Sequence, residues 1–175
     1  MTVVRRLDRP AAYAEDVRRL LVAADDEFVP PLTAPARRGV SRTGGAVGPT
    51  SIEGYLADCL DGPLLGAVDD GRLVGFAALR EVTDGDVLGA YAPSTHVSVL
   101  VVAPASRGRG IATRLYDHLL DAPPAGLPES AVSTKTWHTN RAHIAILESL
   151  GFDCVERLAD DRKPGVDTVY YARER

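Results

Sequence analysis

The stretch Val102-Ala103-Pro104-Ala105-Ser106-Arg107-Gly108-Arg109-Gly110-Ile111-Ala112 constrains this chain more than any other. A β-branched run, Thr95 to Val102, leads into two glycines one residue apart. Ile111 to Leu120 follows, with Ile111, Leu115 and Leu119 recurring at helical spacing. The order is therefore strand, tight turn, helix. Gly108 and Gly110 permit backbone dihedrals closed to other residues, so several main-chain N–H groups can point into one concavity at the head of the helix. Such a concavity suits a pyrophosphate, and Arg107 and Arg109 add charge at its rim. The charge distribution agrees: the formal net charge is -4, yet Val87 to Tyr116 contains no Asp or Glu while holding Arg107, Arg109 and Arg114. An anionic ligand is expected to dock there. The overall acidity argues against a general nucleic-acid binder.

The rest of the chain reads as one α/β domain spanning 1–175. Val3 to Leu7 is a short strand, and Ala11 to Phe28 a helix stopped by Pro30 and Pro31. Residues 33–50, rich in Gly and Pro, have the composition of a mobile loop. Ser51 is positioned to cap a helix that runs to Asp61, and Asp69-Asp70-Gly71 joins two strands, Leu64–Val68 and Arg72–Arg80, as a hairpin. Ala131 to Trp137 is a further strand. Arg141 to Leu150 is a helix with Asn140 as N-cap and Gly151 as the left-handed residue that ends it. Thr168 to Arg173 closes the sheet. No apolar run approaches the ~20 residues of a membrane span, and no secretory pattern follows the first arginines, so a soluble, cytoplasmic protein is expected. Cys59 and Cys154 have no partners at ligand spacing, so no metal site is expected.

Three phosphate-binding motifs begin with a glycine turn before a helix. A Walker loop needs Lys-Ser/Thr after its last glycine, where Ile111 and Ala112 stand; a dinucleotide fingerprint needs Gly or Ala where Thr113 stands. The remaining pattern, Arg-x-x-Gly-x-Ala at Arg107, Gly110 and Ala112 after Val102-x-Pro104, resembles the coenzyme A loop of the GNAT acetyltransferases. Alone, the hexamer also fits a plain surface turn. A second resemblance follows it at that family's spacing: an Asn-led helix with Asn140, Ala142 and Ala145 ending in Gly151-Phe152.

The resemblance implies a GNAT fold: a mixed central sheet flanked by helices, with a splayed pair of parallel strands. Acetyl-CoA would lie in that wedge, pairing with strand backbone at Leu100, Val101 and Val102. Its phosphates would meet Arg107, Gly108, Arg109, Gly110, Ile111 and Ala112, with Asn140 nearby. The implied reaction is N-acetylation of a primary amine, on a small molecule or a peptide, by direct attack in a ternary complex. Homodimers are common in the family.

An amine of ordinary pKa is mostly protonated at neutral pH, so the reaction needs a base or a water relay. The Glu that many family members carry on the fourth strand is missing. His96, sharing a strand face with Ser98 by period two, is the first candidate, and His138 is the second; a hydrogen-bonded structural histidine fits either position equally well. The family's usual acid, a Tyr seven residues after the Asn, is Leu147 here, with Tyr170 and Tyr171 as distant stand-ins. By the resemblance Asp25, Asp26 and Glu27 are placed to hold a cationic acceptor, and Phe28 and Trp137 to wall its pocket, though a solvated acidic turn and core aromatics fit the same positions. The missing groups leave two rivals open: a non-catalytic acyl-CoA-binding or regulatory module, and transfer of a larger acyl group.

Overall fold

The computed structural model describes residues 1–41 and 48–175. Seven strands form one mixed sheet: β1 (Val3–Arg6), β2 (Leu64–Asp69), β3 (Arg72–Val82), β4 (Ser94–Val102), β5 (Ala131–Trp137), β6 (Asp153–Lys163) and β7 (Val166–Glu174), in the order β1-β2-β3-β4-β5-β7-β6. Only β4 and β5 are parallel neighbours. The helices are α1 (Ala14–Ala24), α2 (Ile52–Asp61), α3 (Gly85–Leu88), α4 (Ile111–Asp121) and α5 (Arg141–Ser149). Val17, Leu20 and Leu21 of α1 and Tyr55 and Leu56 of α2 pack with Phe76, Val99 and Val101 on one face of the sheet. Ile111, Leu115 and Leu119 of α4 and Leu147 of α5 pack with Val97 and Val132 on the other. These are the helical spacings of the sequence, each turned toward the sheet to bury its apolar stripe.

Ser51 caps α2 as expected, its Oγ accepting from Gly54 N at 3.0 Å, and Gly151 adopts a φ of 78° after α5. Three expectations need correction or refinement. The long first helix is broken, with α1 flanked by 3-10 turns at Pro10–Tyr13 and Asp25–Glu27. Asn140 stands at the N-cap of α5 as expected, its main-chain O accepting from Ile144 N, but its side chain makes no cap bond, and its Nδ2 donates to Thr136 Oγ1 at 3.0 Å. The strand β6 was not anticipated: its run of charges shows no alternation, and it is held at the sheet edge by β7 alone. Of the expected mobile loop over 33–50, residues 42–47 lie outside the described residues, while Pro35–Gly39 forms a 3-10 turn.

The strand pair β4–β5 parts midway. Pairing runs from Thr95↔Val132 to Val97↔Thr134 and stops there, although both strands continue. The cause lies on the opposite edge of β4. Against β3, Leu79 pairs with Val97 and Ala78 with Val99, so Ser98 is an inserted bulge residue, its Oγ donating to Ala78 O at 3.1 Å. A bulge bends and twists its strand. It also resets the alternation, which is why Val97 packs beneath α4 and α5 while Val99 and Val101 pack beneath α1 and α2.

Candidate functional site

The wedge opened by the Ser98 bulge is a cavity of about 580 Å³ between β4 and β5, reaching the heads of α4 and α5. Beyond Val97 the edge of β4 that faces β5 has no strand partner among the described residues, so its main-chain groups can pair with an extended ligand as a strand would. Leu100, Val101 and Val102 all line the cavity.

At the wide end the chain turns through Gly108 (φ 72°) and Gly110 (φ 70°), both in the left-handed region that favours glycine. The first main-chain bond of α4 runs from Arg114 N to Gly110 O at 3.0 Å. The amides of Gly108 to Thr113 have no acceptor among the described residues. Gly108, Gly110, Ile111, Ala112 and Thr113 line the cavity, giving it a cluster of N–H donors at the positive end of a helix dipole. Such a cluster binds phosphate oxygens.

The two rim arginines differ. Arg107 lines the cavity, and its guanidinium forks onto Glu27 at 2.6 and 2.9 Å across the mouth, which raises its pKa further. Arg109 points away, to Asp69 Oδ2 and Thr2 Oγ1, both at 3.3 Å, so its expected place at the rim is corrected to a tie between α4 and the first strands. Asn140 lines the cavity, with one amide hydrogen engaged by Thr136. Phe28 and Trp137 wall it, their ring centroids 5.7 Å apart.

The candidate bases separate. His96 is fully buried, with Nδ1 at 2.8 Å from Ser133 Oγ, which in turn lies 2.6 Å from Ser94 Oγ. It does not line the wedge. It lines an adjoining cavity of about 260 Å³ on the α1–α2 face, where Tyr55, Asp58 and Cys59 also contribute. The two cavities share Ser98, Val99 and Lys135. His138 lines neither. Its Nδ1 accepts from Asp167 N at 2.9 Å and its own amide donates to Asp167 O at 3.0 Å, so the ring fastens the end of β5 to β7. It is a structural histidine.

Other candidates are also reassigned. Asp25 accepts from Thr33 N and Oγ1, at 2.9 and 2.7 Å, and shapes the chain turn after α1; of the acidic trio only Glu27 lines the wedge. Tyr170 packs against Val82 and Leu88, and Tyr171 reaches Glu148, so neither approaches the wedge. Leu147 is fully buried in the core below α5. Lys135, Thr134 and His143 line the wedge and were not singled out by sequence, since each becomes visible only once β5 and α5 are placed against β4. Among the described residues no group of His, Cys, Asp or Glu could hold a metal ion, and no helix is long and apolar enough to cross a membrane.

Residues 36–152 match the model of the acetyltransferase (GNAT) family. The fold is similar to that of the ribosomal-protein-S18-alanine N-acetyltransferase from Escherichia coli, with 15% identity over 99% of this chain and 94% of that one and a TM-score of 0.67. It is similar to Arabidopsis thaliana NAA60 in complex with a bisubstrate analogue, with 19% identity over 100% and 99% and a TM-score of 0.66. The NatC complex bound to Gag peptide and CoA gives 18% identity over 99% and 98% and a TM-score of 0.69. None of the curated proteins matches this chain in sequence.

Proposed function

The chain belongs to the GNAT acetyltransferase family and is an acyltransferase, and from that premise we propose that it moves an acetyl group from acetyl-CoA to a primary amine by direct attack in a ternary complex. The observation that carries this reading is the wedge itself: a strand edge that, among the described residues, has no partner, leading to six backbone amides with no acceptor among those residues at the head of α4. In this reading the pantetheine arm pairs along Leu100, Val101 and Val102, and the pyrophosphate takes the amides of Gly108 to Ala112, with Arg107 exchanging Glu27 for phosphate. Asn140 meets the arm through its carbonyl oxygen. The whole of 1–175 acts as one domain, since one sheet carries both walls of the wedge.

The acceptor comes from the smaller cavity, which meets the wedge at Ser98, Val99 and Lys135. The amine nitrogen attacks the thioester carbon, a C–N bond forms, the C–S bond breaks, and the electron pair leaves with sulfur. The amine's proton passes to His96, directly or through water; in the tautomer that donates Nδ1–H to Ser133 Oγ, Nε2 is the basic nitrogen. Positioning and a polarised carbonyl suffice for such a transfer, and no enzyme nucleophile is required. The similar structure bound to Gag peptide and CoA supports an amine on a peptide, and the amine of a small molecule is the alternative acceptor.

The test follows release of free thiol from acetyl-CoA with a panel of small amines and peptide N-termini. Wild type turns over at least one class, and His96→Gln lowers kcat/KM with loss of the acidic limb of its pH profile. Coenzyme binding without turnover of any amine would favour the binding-module reading.

A further inference from the structure

His143 stands where α4, α5 and the apex of the wedge meet. It lies on α5 one turn before Leu147, is half-buried, and lines the wedge with Thr134 and Ile146. From α4, the buried Tyr116 brings its hydroxyl to 2.8 Å from His143 Nε2. Thr134 is the last β5 residue paired with β4, and its hydroxyl donates to Val97 O at 3.0 Å. The histidine and tyrosine therefore sit beside the point where the strands part, and an acyl group carried to the apex arrives next to them. Leu147, sealed in the core, has no polar atom to offer there.

The pair has a defined protonation. Burial pushes the Tyr116 phenol up, so the phenol keeps its proton. Burial holds His143 down at about 4, so near neutral pH its ring is uncharged and carries one N–H. When the phenol donates to Nε2, that N–H is at Nδ1, which has no hydrogen-bond partner among the described residues.

We propose that His143 donates Nδ1–H to the sulfur of the coenzyme, with Tyr116 as the positioning residue that fixes the tautomer, so that α4 and α5 together make the hydrogen bond that Leu147 cannot. This rests on the acetyl-CoA reading above. No proton is transferred in the step: the C–S bond breaks, the pair stays on sulfur, and the thiolate accepts the hydrogen bond. The thiolate later takes its proton from water. A thiol of pKa ~8.5 is a fair leaving group on those terms.

The experiment titrates the thiol of bound coenzyme A by its thiolate ultraviolet absorbance in wild type, His143→Ala and Tyr116→Phe. It needs no knowledge of the acceptor. Arg107, Lys135 and Glu27, the charged groups that also line the wedge, remain in all three proteins, so their field is common to them. In wild type the bound thiol ionises at lower pH than in free coenzyme. His143→Ala weakens its acidity about tenfold or more, the range of a hydrogen bond to a charged group. Tyr116→Phe gives a smaller change of the same sign, and the ¹⁵N shifts of the His143 ring move away from a pure Nδ1–H form. A bound thiol that titrates alike in wild type and His143→Ala overturns the inference alone. A wild type that binds no coenzyme overturns the reading beneath it, and the inference with it.

Discussion

The wedge and the clasp that meets the smaller cavity at Lys135 are built in opposite ways. The wedge uses backbone: a bulge at Ser98, a β4 edge left unpaired by β5, and amides presented by two left-handed glycines, all within residues 94–113. The clasp uses side chains that reach across the chain. Asp161 of β6 accepts from Ser41 N at 3.1 Å and from Ser41 Oγ and Thr168 Oγ1 at 2.5 Å each. Lys135 donates to Ser41 O, and the buried Arg162 donates to Val29 O at 3.2 Å while its guanidinium lies 5.7 Å from the centre of the Trp137 ring. This clasp of β5 and the β6–β7 hairpin on the 29–41 segment joins residues separated by 94 to 133 positions. On the proposed acetyl-CoA reading, the backbone cradle holds the coenzyme, and the side-chain clasp is built without drawing on that cradle.

The largest effect tests whether the core beneath α5 is structure alone. Leu147→Ala empties a fully buried site and should cost ~2 to 5 kcal/mol of stability by chemical denaturation, while the folded fraction keeps its turnover. A loss of kcat in the folded fraction larger than the loss of coenzyme affinity would give Leu147 a chemical role and blur the division.

A smaller effect probes the clasp through pH. Burial, the largest single influence on Asp161, raises its pKa, but the hydroxyls of Ser41 and Thr168, the Ser41 amide and Lys135 together outweigh it and hold the carboxyl below its usual value. A carboxyl depressed by folding contributes stability that is present above the unfolded value, ~3.9, and is lost as pH falls through the folded value. Limited proteolysis in the 29–41 segment should therefore accelerate below about pH 4 in wild type. Asp161→Asn should cleave faster at neutral pH and show little further acid dependence. Acid dependence of equal size in both proteins would remove Asp161 from the clasp.

The same division explains what was legible in the sequence. The strand, the glycine pair and α4 are contiguous, so their periodicity and turn chemistry could be read directly, as could the Ser51 cap and the Gly151 stop. Asn140 is legible as the N-cap residue of α5, but the bond of its side chain to Thr136, four residues earlier, is not, since it depends on where β5 ends. His96 does share a face with Ser98, as period two predicts, and both line the smaller cavity; only Ser98, the bulge residue two positions on, also reaches the wedge, and no local pattern shows that. His138 looked like a candidate base for want of any sign of Asp167, which lies 29 residues away. Charged β6 concealed itself because an edge strand supported from one side needs no apolar alternation. The Tyr116–His143 contact spans two helices and carries no local signal at all.

The central claim, that the coenzyme occupies the wedge and engages its unsatisfied backbone, is tested most directly by amide hydrogen exchange with and without saturating coenzyme A. Gly108 to Thr113 have no acceptors among the described residues, so their amides should exchange fast in the free protein. The account predicts strong slowing at 108–113 and along Leu100 to Val102 on binding, and loss of that slowing in Gly110→Asp, whose side chain and charge oppose phosphate. Amides at 108–113 that exchange as fast in the saturated complex as in the free protein would contradict it.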